Sequence, residues 1–186
     1  NMANMTEQVL MFEEMKKLAS TDSLTGIHNR RNFITLAREE LEKSERYDRP
    51  LSFIILDIDR FKNINDTYGH QSGDLVLAQL ANTVIENKRA EDLFGRYGGD
   101  EFIILPRGEI SKEGMQLHCE RIRNAIEGFE FCSEDVCVRI TVSLGFHLME
   151  AGSGDTEAML SDLIHKADQA LYRAKERGRN RTESLF

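Results

Sequence analysis

The sequence predicts an α/β fold of the α+β kind, ferredoxin-like in plan, with a central antiparallel-type sheet flanked by helices. Three observations predict it. "LSFIILDID", Leu51 to Asp59, is a continuous apolar run ending in carboxylates, the pattern of a central strand covered on both faces. "FIILP", Phe102 to Pro106, follows a glycine pair as a second buried strand. "VRITVSLGF", Val138 to Phe146, alternates strictly, which reads as a half-buried strand with Val138, Ile140, Val142, Leu144 and Phe146 inward. Helical spacing fills the intervals, so the order is strand–helix–strand–strand–helix–strand, with the helices expected on one face.

Taken along the chain, Met5 to Ala19 read as a helix with one stripe, Met5, Val9, Phe12, Met15 and Ala19. It either lies on the domain or ends a longer coiled coil arriving from an upstream sensor domain. After the polar break "STDSLTG", a helix following "HNRRNF" places Phe33, Leu36, Ala37 and Leu41 on one face. A later helix carries Leu77, Leu80, Ala81 and Val84, and another Met115, Cys119, Ile122 and Ile126. The last, about Glu157 to Arg177, buries Leu160, Leu163, Ile164, Ala167, Leu171 and Ala174. No internal repeat and no low-complexity segment interrupts this order. Residues 1–20 are therefore expected as an N-terminal linker or signalling helix and 21–186 as one folded domain.

A chain of 186 residues with 40% hydrophobic and 30% charged residues suits one such domain with its own core. A formal charge of -8 argues against a nucleic-acid-binding face, which needs a basic surface. No apolar run approaches a membrane span and no signal-peptide pattern opens the chain, so a cytoplasmic domain without membrane contact is expected. The cysteines are Cys119, Cys132 and Cys137, the last two flanking the polar turn "CSEDVC". A cross-hairpin disulfide or half a metal site is conceivable there, but reduced, partly buried thiols are the expectation.

The chemistry begins with two acidic clusters. In "LDIDRFKNIND", Asp57 lies where the buried strand ends, and Asp59 is expected on the same strand face. Asp100 and Glu101 start the strand after the glycine turn. If the two strands are neighbours, Asp57 and Asp100 meet at one sheet edge, and half-buried carboxylates repel unless a proton or a hard cation neutralises them. Oxygen-only ligands on a rigid hairpin suit Mg²⁺, which keeps waters and binds substrate phosphates through one or two carboxylates. Gly98 and Gly99 permit positive φ for a tight turn and clear side chains from a ligand's path, although a hairpin alone would explain them. Lys62 falls at a helix start, where backbone N–H groups favour phosphate oxygens. Lys175 and Arg179 close the last helix, where cations are favourable through the macrodipole alone. Converging with Lys62, they would hold a triphosphate. Asn65 and Asp74, in "NINDTYGHQSGD", present a donor–acceptor amide and an acceptor-only carboxylate. Such residues are often helix caps, but as base readers they favour guanine, whose Watson–Crick edge shows two donors.

These stretches together resemble the GGDEF family, the diguanylate cyclases. The blocks are "DSLTGIHNRR" (Asp22 to Arg31), "LDIDRFKNINDTYGHQSGD" (Leu56 to Asp74), "RAEDLFGRYGGDEF" (Arg89 to Phe102) and "ADQALYRAKERGRN" (Ala167 to Asn180), in family order. The resemblance implies a palm-like nucleotide cyclase fold with the signature on a β-hairpin. It implies that two GTP molecules become cyclic di-GMP and two pyrophosphates, across a homodimer and with Mg²⁺, or Mn²⁺ in its place. Asp57 and Asp100 match the family's metal carboxylates, with the main-chain oxygen of Ile58 as a further ligand. Glu101 matches a residue at the metals proposed to help activate the ribose 3′-hydroxyl. Asn65 and Asp74 match the guanine-binding pair. Lys62, Lys175, Arg179 and main-chain groups near Phe61 match phosphate contacts, and Gly98 and Gly99 give GTP its clearance. Asp59 has no clear family role as a ligand and reads as structural.

"RAED", Arg89 to Asp92, resembles the RxxD product-inhibition site of many members. Arg89 would fork onto a guanine edge or phosphate and Asp92 would accept from a guanine, with Arg121 or Arg123 completing the site from another face. Ile27 stands where the first block often has Leu, and Asp100 where many members have Glu; both preserve the chemistry. Two competing readings are a GTP- or cyclic-di-GMP-binding regulatory module without turnover, and a cyclase with another nucleotide preference. Retention of the signature carboxylates disfavours the first and Asp74 the second.

Overall fold

The computed structural model describes residues 19–108, 111–132 and 137–185. The predicted helix over Met5 to Ala19 lies outside the described residues except at its last position, as does the centre of the "CSEDVC" turn. The elements run α1 (Arg30–Tyr47), β1 (Leu51–Ile58), α2 (Phe61–Tyr68), α3 (His70–Asn87), β2 (Leu93–Gly98), β3 (Glu101–Leu105), α4 (Lys112–Glu127), β4 (Glu130–Cys132), β5 (Cys137–Arg139), β6 (Val142–Met149), α5 (Thr156–Glu176) and β7 (Thr182–Leu185). Local chemistry starts the helices. Asn29, Ser111 and Asp155 each accept a backbone N–H three residues on, at the heads of α1, α4 and α5.

Five strands form one sheet in the order β2-β3-β1-β6-β7. Pairing is antiparallel except between β6 and β7, which run parallel. The first four strands keep the ferredoxin-like order, and β7 is an added edge strand that sequence periodicity did not reveal. Only four residues long, it offers too little alternation to stand out.

One expectation is corrected here: the helices cover both faces of the sheet. Even-numbered residues of β1, Ile54, Leu56 and Ile58, pack with Val76, Leu80 and Val84 of α3 and Ile122 of α4. Odd-numbered Leu51, Phe53 and Ile55 pack with Phe33 and Leu41 of α1 and Leu163 and Leu171 of α5. The ferredoxin plan supplies only the first layer; α1 and α5 supply the second. "VRITVSLGF" is not one half-buried strand as expected. Val138 belongs to the separate β4–β5 hairpin, and β6 is buried on both faces through Phe146 rather than on one. Its second face carries Ser143 and Gly145, which look solvent-facing in sequence but are small because α5 lies on them. A Cβ on Gly145 would fall 2.1 Å from the backbone N of Leu171 and 2.4 Å from the carbonyl of Ala167. Only glycine lets α5 settle at this distance, and α5 carries site residues.

The cysteine expectation is also corrected. The β4–β5 register sets Cys132 opposite Cys137, Cα atoms 4.0 Å apart, and the two form a disulfide. Cys119 is buried and free, and burial pushes its thiol far up. No helix among the described residues is long and apolar enough to cross a membrane.

Candidate active site

The site lies where β1 ends beside the β2–β3 hairpin. The antiparallel register puts Asp57 directly opposite Glu101, so both side chains leave the same face of the sheet, toward α5. Asp100 sits in the turn, its carbonyl accepting from Ile58 N at 3.4 Å. β1 and β3 are neighbours as required, but the cross-strand partner of Asp57 is Glu101, with Asp100 one residue beyond.

Of the glycine pair, only Gly99 takes a positive φ, 41°. A Cβ on either Gly98 or Gly99 would meet nothing within 4 Å, so open space lies above the turn. The hairpin is held from both sides. Arg96 donates to the carbonyl of Gly99 at 3.0 and 2.8 Å and reaches Asp22 at 3.2 Å. Asp22 also accepts from Thr25 N and Oγ1, and these bonds with Arg96 outweigh burial and hold its carboxyl below the ordinary range. Arg30 lies over the Tyr97 ring at 4.3 Å. Sequence reasoning did not single out Asp22, Arg30 or Arg96. They fall within two of the ordered blocks, which was the available signal.

Asp57 is nearly buried, and its carboxyl is pushed up to about 6, first by burial and then by repulsion from Asp100. Lys175 Nζ opposes this from 3.0 Å. Burial likewise raises Glu101, helped by Asp168 and Asp100 and opposed by Lys175 and Arg30. Asp168, on α5, is a further site neighbour that the sequence reading missed. Carboxylates held together against their charge form a donor set suited to a hard cation. Among the described residues no three acidic, His or Cys side chains close into a metal cage. The set is an open one: the carboxylates and the carbonyl of Ile58 would leave positions for water and phosphate, as Mg²⁺ prefers.

Asp59, two residues past Asp57, is equally buried but fully partnered. Its carboxylate accepts from Thr141 Oγ1 at 2.7 Å, Ser143 Oγ at 2.6 Å and Asn180 N at 3.0 Å. It lies beyond the strand end, in the turn to α2, and ties that turn to β6 and to the tail of α5.

The α2–α3 corner gathers the base-reading candidates. Gly69 turns the chain at φ 84°, and its N–H bonds the carbonyl of Asn65. A Cβ on Gly73 would fall 1.9 Å from Asn65 Oδ1, so glycine there makes room for the Asn65 amide. Exposed Asp74 follows immediately, at the same corner. Lys62 is exposed on the first turn of α2, beside Phe61, and no side chain caps this helix. Arg179 is set apart from Lys175. Gly178, Arg179 and Asn180 take φ of 113, 64 and 45°, and Arg179 lines a cavity of about 370 Å³ with Arg60, Asn63 and Arg139. The structure thus brings Lys175 onto Asp57 and places Arg179 on the flank.

The RAED segment lies elsewhere, between α3 and β2. Asp92 accepts from Arg89 N at 3.0 Å and Arg107 N at 3.1 Å, with His118 Nε2 at 3.3 Å from Oδ2. Burial raises its carboxyl, but these contacts outweigh it and leave it below the ordinary range. Arg89 and His118 line a cavity of about 360 Å³ with Glu91 and Ser111. Arg121 reaches His118, whereas Arg123 is engaged with Glu120, Glu127 and Asn180 on another side. Of the two arginines considered, Arg121 is the one near this segment.

Comparison with known proteins places these features together. Residues 19–181 match the family described as "Diguanylate cyclase, GGDEF domain". Diguanylate cyclase DosC of Escherichia coli (strain K12) is 38% identical over 177 residues, 93% of this chain and 37% of that protein. Response regulator PleD of Caulobacter vibrioides (strain NA1000 / CB15N) is 39% identical over 166 residues, 88% of this chain and 36% of PleD. The chain thus spans little more than a third of the length of these relatives. The crystal structure of the coiled coil and GGDEF domain of DgcB from Caulobacter crescentus, in complex with c-di-GMP, superposes with a TM-score of 0.89 at 28% identity, covering 99% of this chain and 95% of that one. The active GGEEF domain of a diguanylate cyclase from Vibrio cholerae gives 0.75 at 34% identity, covering 85% and 97%.

Proposed function

Because this chain belongs to the GGDEF family of diguanylate cyclases, we propose that it condenses two GTP molecules into cyclic di-GMP, releasing two pyrophosphates. One observation carries the reading: Asp57 and Glu101 face each other beside Asp100 at an open sheet end, both carboxyls pushed up. A site built only for stability would pair or bury such groups apart. Asp57, Asp100, Glu101 and the carbonyl of Ile58 would hold the metal, Mg²⁺ or Mn²⁺. Bound there, it would ease loss of the 3′-hydroxyl proton and neutralise charge on the α-phosphate and leaving pyrophosphate.

The chain's own residues bind and orient. Asn65 and Asp74 receive the guanine edge at the α2–α3 corner, with Asp74 accepting from its two donors. Lys62, the backbone near Phe61, and Arg179 hold the phosphates, and Gly98 and Gly99 leave the space above the turn clear for GTP. Lys175, now on Asp57, is placed to turn to the γ-side phosphates once a cation shares the carboxylates. Glu101, with its raised carboxyl, is placed to accept the 3′-hydroxyl proton.

Each domain holds one GTP, and neither can close both phosphodiester bonds alone. Two copies must therefore face each other in a two-fold arrangement, each hydroxyl attacking the other's α-phosphate. In this reading residues 21–186 are the cyclase domain in the cytoplasm. Residues 1–20 carry control from an upstream sensor domain, and cyclic di-GMP inhibits at the loop that runs from Arg89 to Asp92. Purified protein incubated with GTP and Mg²⁺ should yield cyclic di-GMP on chromatography. No product even under enforced dimerisation would overturn the reading.

A further inference from the structure

We propose that Arg60 is a further nucleotide-binding residue, which together with Arg179 grips the terminal phosphate of GTP and so separates GTP from GDP. This rests on reading Lys62, Arg179 and the backbone near Phe61 as the phosphate contacts. A pair of strained, partnerless cations on one cavity carries the inference. Arg60 has φ 57° and Arg179 φ 64°, a left-handed backbone that disfavours a side chain such as arginine and persists only where the surroundings impose it. Neither guanidinium has a hydrogen bond or ion pair among the described residues. Both line the cavity of about 370 Å³ beside α2.

Asp59 imposes the strain. Its buried carboxylate accepts from Asn180 N at 3.0 Å and from Thr141 Oγ1 and Ser143 Oγ, and its own N–H donates to the carbonyl of Thr141 at 2.9 Å. Asp59 precedes Arg60 and Asn180 follows Arg179, so one carboxylate fixes the backbone on which both arginines stand. Arg139, also on the cavity, is different, because Glu130 takes its guanidinium at 2.8 and 3.1 Å. The chain carries a formal charge of -8, yet no described carboxylate meets Arg60 or Arg179. Like charges held on one cavity without a counterion repel, and a bound anion relieves them. The place of Arg60 in the chain says which anion. It falls between Ile58, whose carbonyl is assigned to the metal, and Phe61 and Lys62, at a helix start that no side chain caps. A triphosphate anchored at the carboxylates and running over that helix start lays its last phosphate beside the cavity. A diphosphate is one phosphate shorter and stops before it. Two guanidinium forks suit the free oxygens of a terminal phosphate.

The test compares binding of 3′-deoxy-GTP, which lacks the attacking hydroxyl and is not consumed, with binding of GDP. Both are titrated calorimetrically with Mg²⁺ into wild type, Arg60→Gln and Arg139→Gln, and GTP turnover is measured alongside. Residue 60 is exposed and glutamine is unbranched like arginine, so the substitution meets the same backbone demand and the fold stays intact. Wild type should bind the triphosphate more tightly than GDP. Arg60→Gln should bind the triphosphate about tenfold more weakly, the scale of one lost contact to a charged group, and GDP within about twofold of wild type. Arg139→Gln removes the same charge from the same cavity, but one that Glu130 already holds, so both affinities should stay within about twofold. Unchanged triphosphate affinity in Arg60→Gln, an equal loss for GDP, or an equal loss in Arg139→Gln would each overturn the role, the last by marking a general field rather than a grip. Turnover tells this failure from that of the cyclase reading. Cyclic di-GMP made by a chain that binds 3′-deoxy-GTP no tighter than GDP keeps the cyclase and discards the phosphate reader, whereas a wild-type chain that binds neither nucleotide overturns both.

Discussion

Asp57, near the end of β1, and Asp92, just before β2, are both buried aspartates of the same sheet's strand ends, and their surroundings treat them in opposite ways. Asp92 receives two backbone N–H groups, with His118 Nε2 3.3 Å away, and its carboxyl lies below the ordinary range. Asp57 receives one lysine, stands beside Asp100 and opposite Glu101, and is pushed up to about 6. The difference separates a carboxylate that builds the fold from one kept available for a ligand. Asp59, only two residues from Asp57 but with three donors, belongs with Asp92.

Neutralising each aspartate is the sharpest way to break this contrast. Asp57→Asn and Asp100→Ala should each lower GTP turnover by about a thousandfold or more, since a metal carboxylate is lost. Yet Asp57→Asn should melt at a higher temperature than wild type when metal is absent, because a disfavoured charge is gone. Product chromatography and calorimetric melting read the two effects. Near-normal turnover in either variant would refute the metal assignment. Asp92→Asn should do the reverse, losing about 2 kcal/mol of stability as its donors lose a charged acceptor, with turnover largely kept. Equal melting of Asp92→Asn and wild type in urea titrations would show that its contacts do not hold the loop.

Acidity sharpens the same contrast without mutation. A carboxyl raised in the folded state binds more protons there than in the unfolded chain. Asp57 therefore makes the metal-free protein less stable as pH rises from about 4 to 6, by on the order of 2–3 kcal/mol once it is ionised. Added Mg²⁺ should accordingly raise the melting temperature more at pH 7.5 than at pH 5, since below pH 6 a proton already occupies the site. Asp92, held below the ordinary carboxyl value of 3.8, contributes stability that is complete above that value and lost as pH falls through its lowered one. An acid limb of unfolding that disappears in Asp92→Asn would confirm the sign. A Mg²⁺ effect independent of pH would sink the link to Asp57.

Much of this contrast was legible in the chain. Asp57 closes one continuous apolar run and Asp100 and Glu101 open another, which is visible from residue order, and strand neighbours in the ferredoxin plan bring them together. Asp59 could be set aside as structural, but its three donors come from β6 and the tail of α5, contacts no local pattern encodes. The same holds for Asp92, whose stretch "RAED" looks open to ligand until Arg107 and His118 close over it. The second helix layer was hidden by Ser143 and Gly145: small residues that admit α5 look, in sequence, like a solvent-facing row. The Cys132–Cys137 pairing depended on hairpin register, which two cysteines flanking a polar turn leave open. Asp168 escaped notice because it is one more acid on a solvated helix until α5 is laid against Glu101.

The smallest expected effect tests whether the open carboxylates depend on a rigid hairpin. Arg96 bridges Gly99 and Asp22 and touches none of the groups assigned to metal or base. Arg96→Gln would leave the Gly99 carbonyl and the Asp22 carboxylate without their shared cation. Both are partly solvated, so water takes up most of the loss, and stability should fall by only about 1 kcal/mol. Site geometry is less forgiving than stability. Asp100 lies one residue from Gly99, and a turn that drifts moves it relative to Asp57, so turnover should fall about tenfold while product binding at Arg89 is unchanged. The paired readings of turnover and product affinity distinguish a loosened hairpin from general unfolding, which would lower both. If Arg96→Gln matched wild type in turnover, the clamp would be redundant with Arg30 on Tyr97, and the rigidity of the hairpin would have to come from the β1–β3 register alone.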